Sequence, residues 1–160
     1  MTAQIQERLI IDDKEYGIGT EPLEPYIKSL TSKFRFVLES TACWRGYLGT
    51  WHLDGDKLYL ISLEGFISNE QDIQEEIDIN YLFPNKDKIF ASWYSGTIRV
   101  VEGKMLEYVH SAYESKYERD LLLNFKKGFL VDYEYIDNRN MDSTNLSLLQ
   151  RILLYLGKPQ

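Results

Sequence analysis

Along most of this chain apolar and polar positions alternate with a period of two, the spacing that marks half-buried β-strands, broken by acidic-glycine and proline punctuation. Two stretches look alike. The first runs Trp44-Arg45-Gly46-Tyr47-Leu48-Gly49-Thr50-Trp51-His52-Leu53, turns at Asp54-Gly55-Asp56, and returns through Lys57-Leu58-Tyr59-Leu60-Ile61. The second runs Trp93-Tyr94-Ser95-Gly96-Thr97-Ile98-Arg99-Val100-Val101, turns at Glu102-Gly103, and returns through Lys104-Met105-Leu106-Glu107-Tyr108. Glycine reaches the positive φ that tight turns require, so both read as hairpins, over residues 47–63 and 89–110. Two more hairpins are expected: residues 7–18 around Asp12-Asp13, and residues 121–135 around Lys126-Lys127-Gly128. Pro22 and Pro25 make residues 19–25 a loop. Residues 26–32 read as a helical turn or a loop, and residues 34–38 as a strand. Ile73, Ile77 and Ile79 suggest a further strand that ends at Phe83-Pro84-Asn85.

At the C-terminus the period changes. Leu146, Leu149, Leu153 and Leu156 recur at helical spacing after Asp142-Ser143-Thr144, which can cap a helix, and before Gly157 and Pro159, which can stop one. The expected fold is α+β: a mainly antiparallel β-sheet built of hairpins, with a C-terminal helix packed on it. At 160 residues the chain is expected to form a single domain, residues 1–160.

The formal net charge of −7 disfavours a protein that tracks nucleic-acid phosphates. The N-terminus shows no basic segment followed by an apolar one, and no long apolar span occurs, so the expectation is a cytoplasmic protein without membrane contact. The single Cys43 fits a reducing compartment and supplies no disulfide framework. The acidity is uneven: Glu64, Glu70, Asp72, Glu75, Glu76 and Asp78 follow one another with no Lys or Arg between them. Such a run is either a solvated edge kept soluble by charge, or a docking surface that steers a basic partner.

Candidate chemistry is sparse. Cys43 with His52 or His110 is conceivable as a nucleophile–base pair, but a lone thiol beside Trp44 is more often a packing residue. Glu107 and His110 would share a helix face, yet on a strand they point to opposite sides, so no metal site is assigned. Strand parity instead sets Glu107 on the same face as Met105 and Val109, where an acid needs a partner, with Arg45 and Arg99 as candidates. Phosphate-binding loops, nucleophile elbows and zincin motifs are absent from the sequence, and no cofactor is assigned.

The runs Thr41–Trp51, Leu82-Phe83-Pro84-Asn85, Trp93–Arg99 and Leu106–His110 together resemble a widespread family of small bacterial proteins of no assigned activity. The resemblance extends over about residues 7–131 and includes Tyr113, Tyr117, Glu118 and Asp120; Ala112 stands where such proteins are expected to carry Gly. In size and acidity these proteins are similar to the immunity proteins of bacterial toxin systems. The resemblance implies a protein-binding module rather than an enzyme: an inhibitor that occludes a cognate, basic toxin. Glu70, Asp72, Glu75 and Glu76 would steer the encounter, with Tyr81 or Tyr113 as aromatic anchors. The alternative is a small-molecule-binding or enzymatic β domain using Trp44, Arg45, Trp93, Arg99 and His110 in one pocket. Nothing in the sequence sets the oligomeric state.

Overall fold

The computed structural model describes residues 2–30, 34–38 and 40–139. Ten strands and two short helices follow in order: β1 (Glu7–Ile11), β2 (Lys14–Ile18), α1 (Glu24–Ser29), β3 (Arg35–Phe36), β4 (Tyr47–Asp54), β5 (Lys57–Ser68), β6 (Gln74–Ile77), α2 (Ile79–Leu82), β7 (Ile89–Phe90), β8 (Gly96–Glu107), β9 (Lys116–Lys126) and β10 (Phe129–Asp137). The expected C-terminal helix lies outside the described residues.

The strands form one sheet in the order β10-β9-β8-β2-β1-β4-β5-β3, with β6 and β7 also paired to β5. All pairings are antiparallel except β1 with β4, which run parallel through Arg8↔Thr50, Leu9↔Trp51 and Ile10↔His52. The sheet curls until β10 meets β5 again at Phe129↔Lys57. The Leu58 amide donates to the Gly128 carbonyl (2.9 Å) and the Leu130 amide to the Asp56 carbonyl (2.7 Å), which fastens that corner. A curled sheet needs an apolar inner face, and parity supplies it. Leu9 and Ile11, Trp51 and Leu53, Leu58 and Leu60, Ile98 and Val100, and Leu121 and Leu123 are all buried on alternate positions of their strands. Each fully buried Leu or Ile contributes roughly 1.5–3 kcal/mol.

Three expected hairpins form as read, and backbone geometry shows why. Asp12 and Asp13 (φ 49° and 62°), Gly55 (φ 62°), and Lys127 and Gly128 (φ 49° and 84°) take the left-handed conformations that tight hairpin turns demand. The second aromatic stretch does not turn at Glu102-Gly103. β8 continues through it to Glu107, and Gly103 (φ 85°) marks a bulge where the register against β9 shifts between Glu102 and Met105. The same acidic-glycine pair that turns a hairpin also accommodates the extra residue of a bulge. Its return partner is β9, which begins only after residues 108–115. The strand expected over 34–38 is only Arg35–Phe36, and the isoleucine stretch forms β6 and then α2. Glu107 is also corrected: its face is exposed, and its partner is Lys116 (3.1 Å), not Arg45 or Arg99.

Ala112 takes φ 39° in the loop between β8 and β9, where its carbonyl accepts from the Gln4 amide at 2.7 Å. Left-handed backbone is costly for alanine and nearly free for glycine. Ala112→Gly is therefore expected to raise the unfolding free energy by about 0.5 kcal/mol, after the greater chain entropy of glycine is set against the relieved strain. A urea midpoint unchanged or lowered in this variant would count against strain at Ala112.

Candidate functional site

The acidic run is built around the tight connection from β5 to β6. Asn69 organises it: its side-chain oxygen accepts from the Gln71 amide (2.9 Å) and the Ile73 amide (3.1 Å), while its carbonyl accepts from the Asp72 amide (3.0 Å). This Asx-type turn presents Glu70, Gln71 and Asp72 to solvent. Asp72 lies 3.5 Å from Arg35, but both side chains are largely exposed, so the pair adds little stability. Beyond the turn, β6 carries Glu75 and Glu76, which point to opposite faces because they are adjacent on a strand. Asp78 then caps α2, its carboxylate accepting from the Asn80 amide at 2.9 Å. The single turn of α2 delivers Tyr81, 42% exposed, edge-on to Phe34 with centroids 5.2 Å apart.

Two open clefts meet at Tyr81. One, of about 580 Å³, runs along Tyr26, Leu30, Phe34 and Glu70. The other, of about 500 Å³, has Leu63 and Ile77 in its wall and four carboxylates, Glu64, Glu75, Glu76 and Asp78, with no Lys or Arg lining it. Glu75 and Glu76 sit on opposite faces of β6, yet all four carboxylates border the cleft at its edge, where together they set up a negative potential that raises the local concentration of cationic groups. The expected docking residues Glu70, Glu75, Glu76 and Tyr81 thus line adjoining clefts, and Asp72 sits on the turn beside them. Glu64 and Asp78, the ends of the acidic run read from the sequence, join them in the second cleft. Their membership depends on the β5–β6 pairing, Gly65↔Ile77 in particular.

Tyr113 is placed elsewhere, inside a polar network. Its hydroxyl accepts from Arg45 Nη1 (2.9 Å) and donates to Glu21 (2.8 Å), and burial pushes its pKa up. Arg99, on the outer side of β8, donates to Asp120 (2.9 Å), to the Tyr113 carbonyl and to the Ser115 carbonyl (2.9 Å). Arg45 and Arg99 therefore meet at Tyr113. Trp93 stacks on Phe83 (centroids 5.9 Å, interplanar 14°) and donates to the Pro22 carbonyl at 2.9 Å. Trp44 is exposed, and His110 contacts the exposed Tyr108. Five clefts among the described residues are lined by none of Trp44, Arg45, Trp93, Arg99 and His110.

Glu7, which the sequence reading passed over, is the most perturbed acid. It lies on the inward face of β1 with Leu9 and Ile11, only 1% exposed, and accepts from the Gly49 amide at 2.6 Å. Burial raises its pKa from 4.5 to about 8, against the lowering influences of Arg45 and of the Gly49 amide. Glu7 Oε2, Arg45 Nε, Tyr47 Oη and Trp51 Nε1 are all buried without a hydrogen-bond partner among the described residues. Tyr47, beside Glu7 and Glu21, has its pKa raised mainly by burial. The parity of Glu7, Leu9 and Ile11 could have signalled an inward acid. Among the described residues, no group of three His, Cys, Asp or Glu side chains is arranged to hold a metal.

No helix among the described residues is long and apolar enough to cross a membrane. Comparison with protein-family models, with curated proteins and with solved structures finds no match.

Proposed function

We propose that the protein is a protein-binding module that inhibits a cognate basic bacterial toxin by covering its active surface. The observation that carries this reading is the cleft of four carboxylates beside Tyr81, which adjoins a second cleft that carries Glu70. Such a surface suits fast, electrostatically steered association with a cationic partner, and Tyr81 suits a central aromatic contact. Tyr113 acts in the interior network and is not a contact residue in this scheme. The small-molecule alternative has less support, because Arg45, Trp93 and Arg99 are committed to interior contacts.

The partner is to be identified by mass spectrometry of what co-purifies with the tagged protein. Replacing Glu70, Asp72, Glu75 and Glu76 by lysine is then expected to slow association with that partner by at least about tenfold at low salt and to abolish the salt dependence of the rate. Unchanged association kinetics in this variant would remove the acidic face from the interface.

A further inference from the structure

The hydrogen-bond register of β6 exposes a second recognition element on the same face. β5 and β6 pair as Gly65↔Ile77, Phe66↔Glu76, Ile67↔Glu75 and Ser68↔Gln74. The Asn69 amide donates to the Ile73 carbonyl (3.2 Å), which sets 69 and 73 as a hydrogen-bonded pair. In an antiparallel ladder such pairs alternate, so Glu75 and Ile77 direct their backbone groups toward β5. Gln74 and Glu76 direct theirs away. Phe66 checks this independently: its amide donates to Gly46 (3.4 Å) and its carbonyl accepts from Val37 (2.8 Å), both on the side away from β6. Among the described residues β6 pairs with no other strand, and no hydrogen bond engages the backbone groups of Gln74 or Glu76. Among the described residues β6 is therefore an open sheet edge, bordered by the cleft that holds Glu64, Glu75, Glu76 and Asp78.

We propose that β6 accepts an extended, cationic segment of the partner as an added strand, paired through the outward N–H and C=O groups of Gln74 and Glu76. This rests on the docking reading above and deepens it. Charge selects the occupant. Edges of two copies of this chain would set the same glutamates against each other, whereas a strand bearing consecutive lysines or arginines would set one cation against Glu75 on one face and another against Glu76 on the other. Main-chain bonds would supply affinity and the glutamates the preference for cations, as in other strand-addition complexes.

The test uses the peptide Val-Thr-Lys-Lys-Thr-Val and the same peptide N-methylated at alternate residues, which keeps every side chain and charge but removes strand donors. Binding is followed by calorimetry and by amide NMR shifts. The first peptide is expected to bind and to shift Gln74 and Glu76, and the methylated one to bind at least tenfold more weakly. Gln74→Pro removes one outward N–H with no change of charge and leaves the β5 ladder intact, so it is expected to weaken the first peptide about as much. Should that variant melt at a lower temperature, the methylated peptide carries the comparison alone. Equal binding of the two peptides, weakened alike by Glu75→Gln with Glu76→Gln, would overturn strand addition and leave an acidic docking face in place. Absence of binding by either peptide at millimolar concentration would also overturn strand addition, and the lysine variants above would then judge the docking face separately.

Discussion

Glu7→Gln is expected to flatten the pH dependence of stability and to make the protein more stable than the parent at pH 9. The folded state raises the Glu7 pKa from 4.5 to about 8, chiefly through burial. Between those values the folded chain holds a proton that the unfolded chain has released, so stability is fully present below pH 4.5 and declines as pH rises through about 8. A glutamine has the shape of the protonated acid. Its oxygen can still accept from the Gly49 amide, and it has no charge to bury. The parent is expected to lose roughly 2–4 kcal/mol between pH 5 and 9, and the variant little of that. Urea unfolding at pH 5, 7 and 9 measures it. Parallel pH profiles for the two proteins would mean that Glu7 is ionised in the folded state.

Arg45→Met is expected to cost about 3–5 kcal/mol, a large share of the stability of a domain this size. The guanidinium is buried, its side chain 3% exposed. It donates to the Tyr113 hydroxyl and to the Ile5 carbonyl, both at 2.9 Å, and lies 3.7 Å from Glu21. It also stands over the Tyr47 ring, 5.7 Å from the centroid. Methionine fills similar space but leaves Glu21 without its cation and the Ile5 carbonyl without its donor. The loss should therefore appear in the free protein, as a lowered urea midpoint at pH 7. A loss below about 1 kcal/mol would show that the network is not structural, and would restore Arg45 as a group held ready for a ligand.

Short-range features were legible in the sequence because their causes are local. Asp12 and Asp13, Gly55, and Lys127 and Gly128 take positive φ at three short turns, and each turned a hairpin as expected. Glu102-Gly103 carried the same signature and became a bulge, because pairing with β9 settles its register and β9 begins thirteen residues later, at Lys116. Closure of the sheet at Phe129↔Lys57 had no local marker. The acidic face was legible as a group since Glu70, Asp72, Glu75 and Glu76 are nearly contiguous, and one helical turn suffices to bring Tyr81 beside them. Tyr113 was not, since its neighbours Arg45 and Glu21 come from distant segments. Glu7 was half legible: parity sets it inward, but its bond to Gly49 spans forty-two residues.

The parallel pairing of β1 with β4 has a consequence for the order in which the chain assembles. Consecutive hairpins, β4–β5 and β8–β9–β10, can form from neighbouring sequence, whereas the first hairpin, β1–β2, lies between them, joined to β4 on one side and to β8 on the other. Gly17 pairs with Val101 and Ile18 with Val100, across more than eighty residues. The hairpin that comes earliest of these in the chain is thus the wedge between two halves that follow it, and it can complete its pairings only once both exist. Contacts of such long separation slow folding and leave unpaired strand edges exposed meanwhile. The N-terminal hairpin is the piece whose arrival turns two curved ribbons into one closed sheet.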